Sequence, residues 1–412
     1  MNHFVFVVCG SKEHIDKLNF SLKFLKHFSN KNIIVVTDTS RNETDIEHDD
    51  IIDIKTPGTY THHQASIYLK TGLIKFLPDM KGHTFCYLDS DVIAVSSKVD
   101  EIFHFEPSPV FFARDHCMFR EFSPHAMTCS CLDKTIERNK HFYDAVNACF
   151  PQDVFSGSRN KRIEKSKLDA AFNDMKKWHP ASIAKAIAYF AKRYILPVKR
   201  IRLGDCTFNK NNRCWYNQSG EIIHFDYRHY ARILKTRTGI RFNKKLQIWE
   251  DEKGKDITPR TPQCHHLSEY ISKHYKISIP DTWRHWNGGV FLFNNNSVAF
   301  MDYWHKISLL EFENNDTATR DQATLAVSAW KFGLQHNKTL PVKYNFIAEY
   351  ANPDIRWCPE KGYSFDGYKT TFHPAFLHIY HHWGDTNWSI WQSVLAPGKT
   401  GELPNKVLGF RS

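Results

Sequence analysis

The sequence predicts an α/β protein: a mixed, largely parallel sheet flanked by helices and broken by a large α+β insertion. Three observations predict it. Over the first hundred residues, short apolar runs rich in β-branched and aromatic residues alternate with stretches whose apolar residues recur every three or four positions. This alternation lapses after about residue 114. It resumes at about residue 281, and a chain of 412 residues has room for such a core with an insertion inside it.

The elements follow in order. Phe4 to Cys9 reads as a buried strand. Residues 12–28 read as a helix, with Ile15, Leu18, Leu22, Leu25 and Phe28 on one face. Ile33 to Thr37 is a second strand, ending at Asp38, and Ile51 to Ile54 a third. Residues 62–77 form a second helix through Ala65, Tyr68, Leu69, Leu73, Phe76 and Leu77. Thr84 to Leu88 is a strand that stops at Asp89, and Val110 to Ala113 is one more. After the insertion, Trp286 to Phe293 reads as a turn followed by a strand, and Val298 to Leu310 as a helix. Arg320-Asp321-Gln322 opens a helix running to Phe332, and Phe376 to Tyr380 is a late strand. Three divisions result: 1–114, an insertion at 115–280, and 281–412 with a C-terminal tail.

Inside the insertion, 181–195 (ASIAKAIAYFAKRYI) reads as an amphipathic basic helix that stops before Pro197. An internal echo follows. Trp215 to Ile223 and Trp249 to Ile257 share W-x-[N/D]-x-x-G-[E/K]-x-I, which suggests two β-hairpins.

Charge is concentrated here. Between Arg159 and Arg202 lie thirteen Lys or Arg and three acidic residues, which accounts for nearly all of the net +11. A basic stretch of this kind points to an anionic partner, a membrane surface or a phosphorylated glycan; nucleic acid is not expected. The run Phe4 to Cys9 is too short for a signal peptide, and no stretch approaches the ~20 apolar residues of a membrane span. The expected location is the cytoplasm, with room for membrane association. The ten cysteines are scattered without a C-x-x-C pair; only Cys129-Ser130-Cys131 lie close in sequence. They read as small buried apolar residues.

Ligands of parallel sheets bind beyond the carboxyl ends of the strands. Asp89-Ser90-Asp91 falls at such an end. Two carboxylates one residue apart repel each other, and a divalent cation removes that cost. Mg²⁺ and Mn²⁺ take carboxylate and phosphate oxygens, so the pair suits a metal-bound diphosphate. His378, His381 and His382 close the late strand, and any of them could complete the metal shell from a neighbouring strand. Asn287-Gly288-Gly289 lets backbone approach a ligand closely, with Asn287 placed for a sugar hydroxyl. Asp321-Gln322 at a helix start either caps the helix or meets the same sugar. Lys70, on the helix before the strand to Asp89, is within reach of a phosphate. Val8, Cys9 and Gly10 follow the first strand, near the expected base, and Asp38 could hold a ribose or base edge. No GxGxxG or Walker A motif is present, so neither a dinucleotide enzyme nor a P-loop ATPase is supported.

Together these residues resemble a GT-A fold glycosyltransferase, the Rossmann-like transferases of nucleotide-diphospho-sugars. More loosely they resemble family 8, the glycogenin and galactosyltransferase type. That family shows D-x-D, then an N-[GS]-G strand, a D-Q helix start and a late H-x-x-G-x-x-K-P-W. Asp89-Ser90-Asp91, Asn287-Gly288-Gly289, Asp321-Gln322 and a late His-Gly-Trp cluster occur here in that order, over 1–113 and 281–390. The last motif departs: His381-His382-Trp383-Gly384 has the H-x-x-G spacing without the Lys-Pro, while His378 matches by strand position. The resemblance implies a nucleotide-sugar donor, UDP-linked, with Mn²⁺ or Mg²⁺, and a glycan or glycolipid acceptor facing the insertion. It makes 1–114 the nucleotide-binding half. Retaining or inverting stereochemistry stays open. The alternatives are a sugar-phosphate nucleotidyltransferase, which needs a Gly-rich loop after the first strand, and a non-catalytic protein binding carbohydrate or a membrane surface.

Overall fold

The structure is a computed structural model. It describes residues 1–396 except 79, 151–158, 315, 319, 320, 351, 353 and 367–369, with backbone alone for 159–166. The expected C-terminal tail beyond 396 and the helix-opening Arg320 lie outside the described residues. The chain forms two compact units, Met1–Leu132 with Pro262–Ser412, and Asp133–Thr261.

The first unit is built on a six-stranded sheet. β1 (Asn2–Val7), β2 (Asn32–Thr37), β3 (Ile51–Asp53) and β4 (Thr84–Leu88) pair in parallel, in the order β3-β2-β1-β4. The strand Trp286–Asn294 adds antiparallel to β4 and also pairs with β6 (Val110–Arg114), whose order in sequence follows the short β5 (Val92–Ala94). Helix α1 (Lys12–Phe28) covers one face and α2 (His62–Thr71) the other. Alternation along β1 explains how a continuous apolar run serves both. Phe4, Phe6 and Val8 join the α1-side core, whereas Val5, Val7 and Cys9 join the α2-side core. The expected helix over 62–77 is interrupted at Gly72, and a separate short helix runs over Leu73–Phe76.

Residues 115–132 and 262–280 belong to the first unit, so the second unit is narrower than the expected insertion. Phe119–Ala126 and His266–Tyr275 are helices, and their Phe119, Leu267 and Ile271 share a core with Ile307 and Val327. Helix–helix packing of this kind leaves no strand–helix alternation to read, so periodicity does not mark the ends of the second unit.

The second unit holds a four-stranded antiparallel sheet, ordered Ile222–Phe225, Cys214–Tyr216, Cys206–Asn209, Arg200–Leu203, and a hairpin of Arg241–Asn243 with Ile248–Glu250. The sequence echo is a repeated turn. Asn217 N–H donates to Glu221 O and Gly220 N–H to Asn217 O; Asp251 N–H donates to Lys255 O and Gly254 N–H to Asp251 O. Gly220 and Gly254 sit at φ +81° and +80°, a left-handed conformation that costs an L side chain about 1–2 kcal/mol. After the second turn the returning strand shrinks to one bridge, Glu250 to Asp256. The basic helix spans Pro180–Phe190 and continues as a wider turn over Ala191–Ile195.

Candidate functional site

At the carboxyl end of β4 the chain makes a tight turn into β5. Asp89 N–H donates to Gly289 O at 2.9 Å, Val92 N–H to Asp89 O at 3.0 Å, and Ile379 N–H to Asp91 O at 3.0 Å. From α1, Ser21 Oγ donates to Ser90 O at 2.8 Å. The two aspartates are thereby fixed at the meeting point of three strands, since β5 pairs with the strand Phe376–His378.

Two groups of side chains converge on this turn. In the first, Lys70 Nζ lies 3.1 Å from Asp89 Oδ1 and 2.7 Å from Asp321 Oδ2, and Tyr87 Oη donates to Asp89 Oδ1 at 2.6 Å. Burial alone would lower Lys70, but Asp321 and Asp89 outweigh it and hold the ammonium above its ordinary pKa. Burial raises Asp89; Lys70 opposes this, and the Asp91 charge adds to it.

In the second group, Asp91 Oδ1 and His378 Nε2 are 3.3 Å apart. His378 Nδ1 lies 3.0 Å from Asn345 Oδ1, and that carbonyl oxygen can only accept. Nδ1 therefore carries a proton, and Nε2 faces Asp91; burial would lower the ring's pKa, but Asp91 outweighs it and holds it above its ordinary value. Asp91 Oδ1 is buried and has no hydrogen-bond partner. Ligand atoms of Asp89, Asp91 and His378 all lie within 4.8 Å of one another. A divalent cation fits this set: two carboxylates, an imidazole oriented by an amide behind it, and an orphaned buried oxygen. His381 is exposed and outside the group, and His382 stacks on Tyr350 at 3.5 Å. Of the three late histidines, the one matched by strand position is the one that meets the aspartates.

Asn287-Gly288-Gly289 bears on both groups. A Cβ at Gly289 would collide with the His378 ring, and one at Gly288 would lie 3.3 Å from Lys70 Nζ. Asn287 Oδ1 accepts from Gly289 N–H at 2.8 Å and from Asn345 Nδ2 at 2.9 Å, and its amide donates to Asp115 Oδ2 at 3.0 Å. Gln322 Nε2 donates to the same Asp115 oxygen at 2.8 Å. Burial would raise Asp115; the His285 and His116 imidazoles outweigh it and keep the carboxyl well below its usual range. A polar chain thus runs from Asp91 through His378, Asn345, Asn287 and Asp115 to Gln322.

The expected base-side residues behave differently. Val8 and Cys9 are buried, and both side chains point into the core. Gly10 has φ +97°, and a Cβ there would strike His62, so only glycine fits. Asp38 departs from its expected role. It is 1% exposed, and its four acceptor positions are taken by N–H and hydroxyl donors of Ser40 and Thr56. It orders the loop after β2, with no acceptor left for a ribose.

Tyr87, Asn345, His116 and Asp115 belong to this constellation and were not singled out from the sequence. Asp115 had a signal: it follows β6 as Asp89 follows β4. Asn345 had none, since it follows a three-residue helical turn, Val342–Tyr344, with no motif around it.

No family model matches the chain, and no curated protein matches it. Among solved structures it is similar to the apo WbbM bifunctional glycosyltransferase, with TM-score 0.41 and 9% identity over 95% of this chain and 48% of that one, so it spans about half that protein's length. It is also similar to mouse xyloside xylosyltransferase 1 in its apo form, with TM-score 0.38 and 9% identity over 92% of this chain and 98% of that one. Over 28% of this chain and 29% of the other, it is similar to the apo glycosyltransferase GlyE of Streptococcus pneumoniae TIGR4, with TM-score 0.20 and 15% identity.

Proposed function

We propose that the protein is a metal-dependent glycosyltransferase that moves a sugar from a nucleotide-diphosphate donor, UDP-linked, to a hydroxyl of a glycan or glycolipid. The observation that carries this reading is the buried Asp91 Oδ1, without a hydrogen-bond partner, facing His378 Nε2 at 3.3 Å beside Asp89. Asp89, Asp91 and His378 would hold Mn²⁺ or Mg²⁺, which when bound neutralises the diphosphate leaving group. Lys70 holds Asp89 and Asp321 in place and keeps their charges compensated. Asn287 and Gln322 are tied through Asp115 at the edge of the polar chain; Asn287 is buried with its carbonyl oxygen taken by Gly289 and Asn345, so the partly buried Gln322 offers the amide for a sugar hydroxyl. The nucleotidyltransferase alternative is disfavoured, because Cys9 and Gly10 pass straight into α1 at Lys12, leaving no space for a Gly-rich activation loop.

The test is turnover of a panel of UDP- and GDP-sugars with Mn²⁺, in wild type and Asp91→Ala. Loss of at least 10²-fold in the variant is expected, the order seen when one electrostatic stabiliser is removed. Equal turnover in both sinks the mechanism. If neither turns over and Mn²⁺ with UDP leaves the melting temperature unchanged, the non-catalytic reading takes its place.

The acceptor side has its own support within the second unit. Ile183, Ile187, Phe190 and Tyr194 are exposed at helical spacing, and Trp178 and Ile195 are 97% and 80% exposed. Lys176, Lys177, Lys185 and Lys192 flank this stripe. An apolar stripe edged with lysine suits insertion at the headgroup level of an anionic membrane, where a glycolipid acceptor resides. Among the described residues no helix is long and apolar enough to cross a membrane. Sedimentation with phosphatidylserine vesicles should fall with added salt and fall further in Ile187→Asp/Phe190→Asp. Salt-independent binding, or none, removes the membrane partner.

A further inference from the structure

We infer that Cys129, Cys131, Cys264 and His266 form a structural zinc site, separate from the aspartate–histidine centre and independent of the sugar-transfer reading. The cysteines were expected to be inert apolar fillers, since the sequence has no C-x-x-C pair. The fold instead joins a C-x-C to a C-x-H from far along the chain. One ligand atom from each of the four residues lies within 4.8 Å of the others. Cys129 Sγ is 4.0 Å from Cys264 Sγ, and Cys131 Sγ is 3.6 Å from His266 Nδ1.

The two distances of 4.0 and 3.6 Å match edges of a coordination tetrahedron. With zinc–sulfur bonds of about 2.3 Å and zinc–nitrogen bonds of about 2.0 Å, the edges are about 3.8 Å between sulfurs and about 3.5 Å between sulfur and nitrogen. Three thiolates and an imidazole are a soft donor set that selects zinc over the oxygen-loving cations suited to Asp89 and Asp91. Four protein ligands leave no open position, so the role is structural. A disulfide accounts for the arrangement less well. Joining Cys129 to Cys264 would use two of the groups and leave the convergence of Cys131 and His266 without a purpose.

The backbone around the ligands is held in place. Cys264 N–H donates to Arg120 O at 3.0 Å, Thr128 N–H to Asp316 O at 3.1 Å, and Ser123 Oγ lies 3.0 Å from Cys264 Sγ. All four ligands belong to the first unit, and they flank the chain segment Asp133–Thr261 on either side. The ion would therefore tie together the point where the chain leaves this unit and the point where it returns.

The test uses the full chain purified under reducing conditions from zinc-containing medium. Metal analysis should find about one zinc per chain, kept in Asp91→Ala and at least about tenfold lower in Cys131→Ser. Replacement of zinc by Co²⁺ in the wild type should give a thiolate-to-cobalt charge-transfer absorption, which decides the matter even if Cys131→Ser does not fold. Wild-type zinc below about a tenth of an equivalent with no charge-transfer band overturns the inference. So does a Cys129–Cys264 disulfide peptide found in non-reducing mapping, or full zinc retention in Cys131→Ser.

Discussion

Replacing Gly289 by alanine isolates the link between the N-G-G turn and the proposed metal centre. A Cβ at this position would meet His378 Cε1 first, then His378 Nδ1 at 2.9 Å and Asn287 Oδ1 at 3.0 Å. His378 is 6% exposed and held by Asn345, so the ring cannot swing freely aside. Overpacking of this kind costs about 1–3 kcal/mol, or roughly 2–12 °C in melting temperature for a unit of this size. The larger effect falls on the metal. Displacing an oriented imidazole weakens affinity about 10–100-fold. With Mn²⁺ fixed at about 100 times the wild-type Kd, the metal contributes about 2.7 kcal/mol of stability; a 30-fold weaker Kd reduces this to about 0.9 kcal/mol. Gly288→Ala is the control. Its Cβ would lie 3.3 Å from Lys70 Nζ and 3.5 Å from Asp321 Oδ2, both ends of side chains that can yield. Thermal unfolding with and without Mn²⁺ should show a blunted metal response in Gly289→Ala and a near-normal one in Gly288→Ala. A full wild-type response in Gly289→Ala would refute the placement of His378 in the metal shell.

Other outcomes follow from the same geometry. Asn345→Ala should lower Mn²⁺ affinity about 10–100-fold by calorimetric titration while leaving the fold intact, because it frees the His378 ring. Lys70→Met removes the ammonium shared by Asp89 and Asp321 and should cost on the order of 3 kcal/mol in urea unfolding, partly recovered with Mn²⁺. His305 is buried, and burial, with Lys75 adding, pushes it down to about 4 from 6.5. Between these values the unfolded chain binds more protons than the folded one. The stability of neutral His305 is therefore complete above pH 6.5 and is lost as pH falls through 4, amounting to roughly 3 kcal/mol. His305→Asn should flatten that part of the melting-temperature profile, and an unchanged acid limb would count against it.

Much of the core was legible because it obeys local rules. The strands ending at Asp38 and Asp89, and the helices before them, follow from periodicity alone. The aspartates were found because a carboxylate beyond a buried strand is costly without a partner. What stayed hidden depends on residues distant in sequence. Asn345 orients His378 across 33 positions, Asp115 gathers Asn287 and Gln322 across 172 and 207, and Cys131 meets His266 across 135. Asp38 misled because the same strand-end signal marks a loop-ordering carboxylate as readily as a ligand-binding one; only Ser40 and Thr56 tell them apart. The echo at Trp215 and Trp249 was readable as turns because glycine at a left-handed position leaves a local mark.

The stretches of the first unit that bound the segment 133–261 lie side by side, with the sulfurs of Cys129 and Cys264 4.0 Å apart. Such a chain can exchange, lengthen or lose the inserted module without re-registering one strand of the central sheet. Evolution is then free to change that segment while Asp89 and Asp91 stay as they are. An engineer could use the same junction to graft a different module.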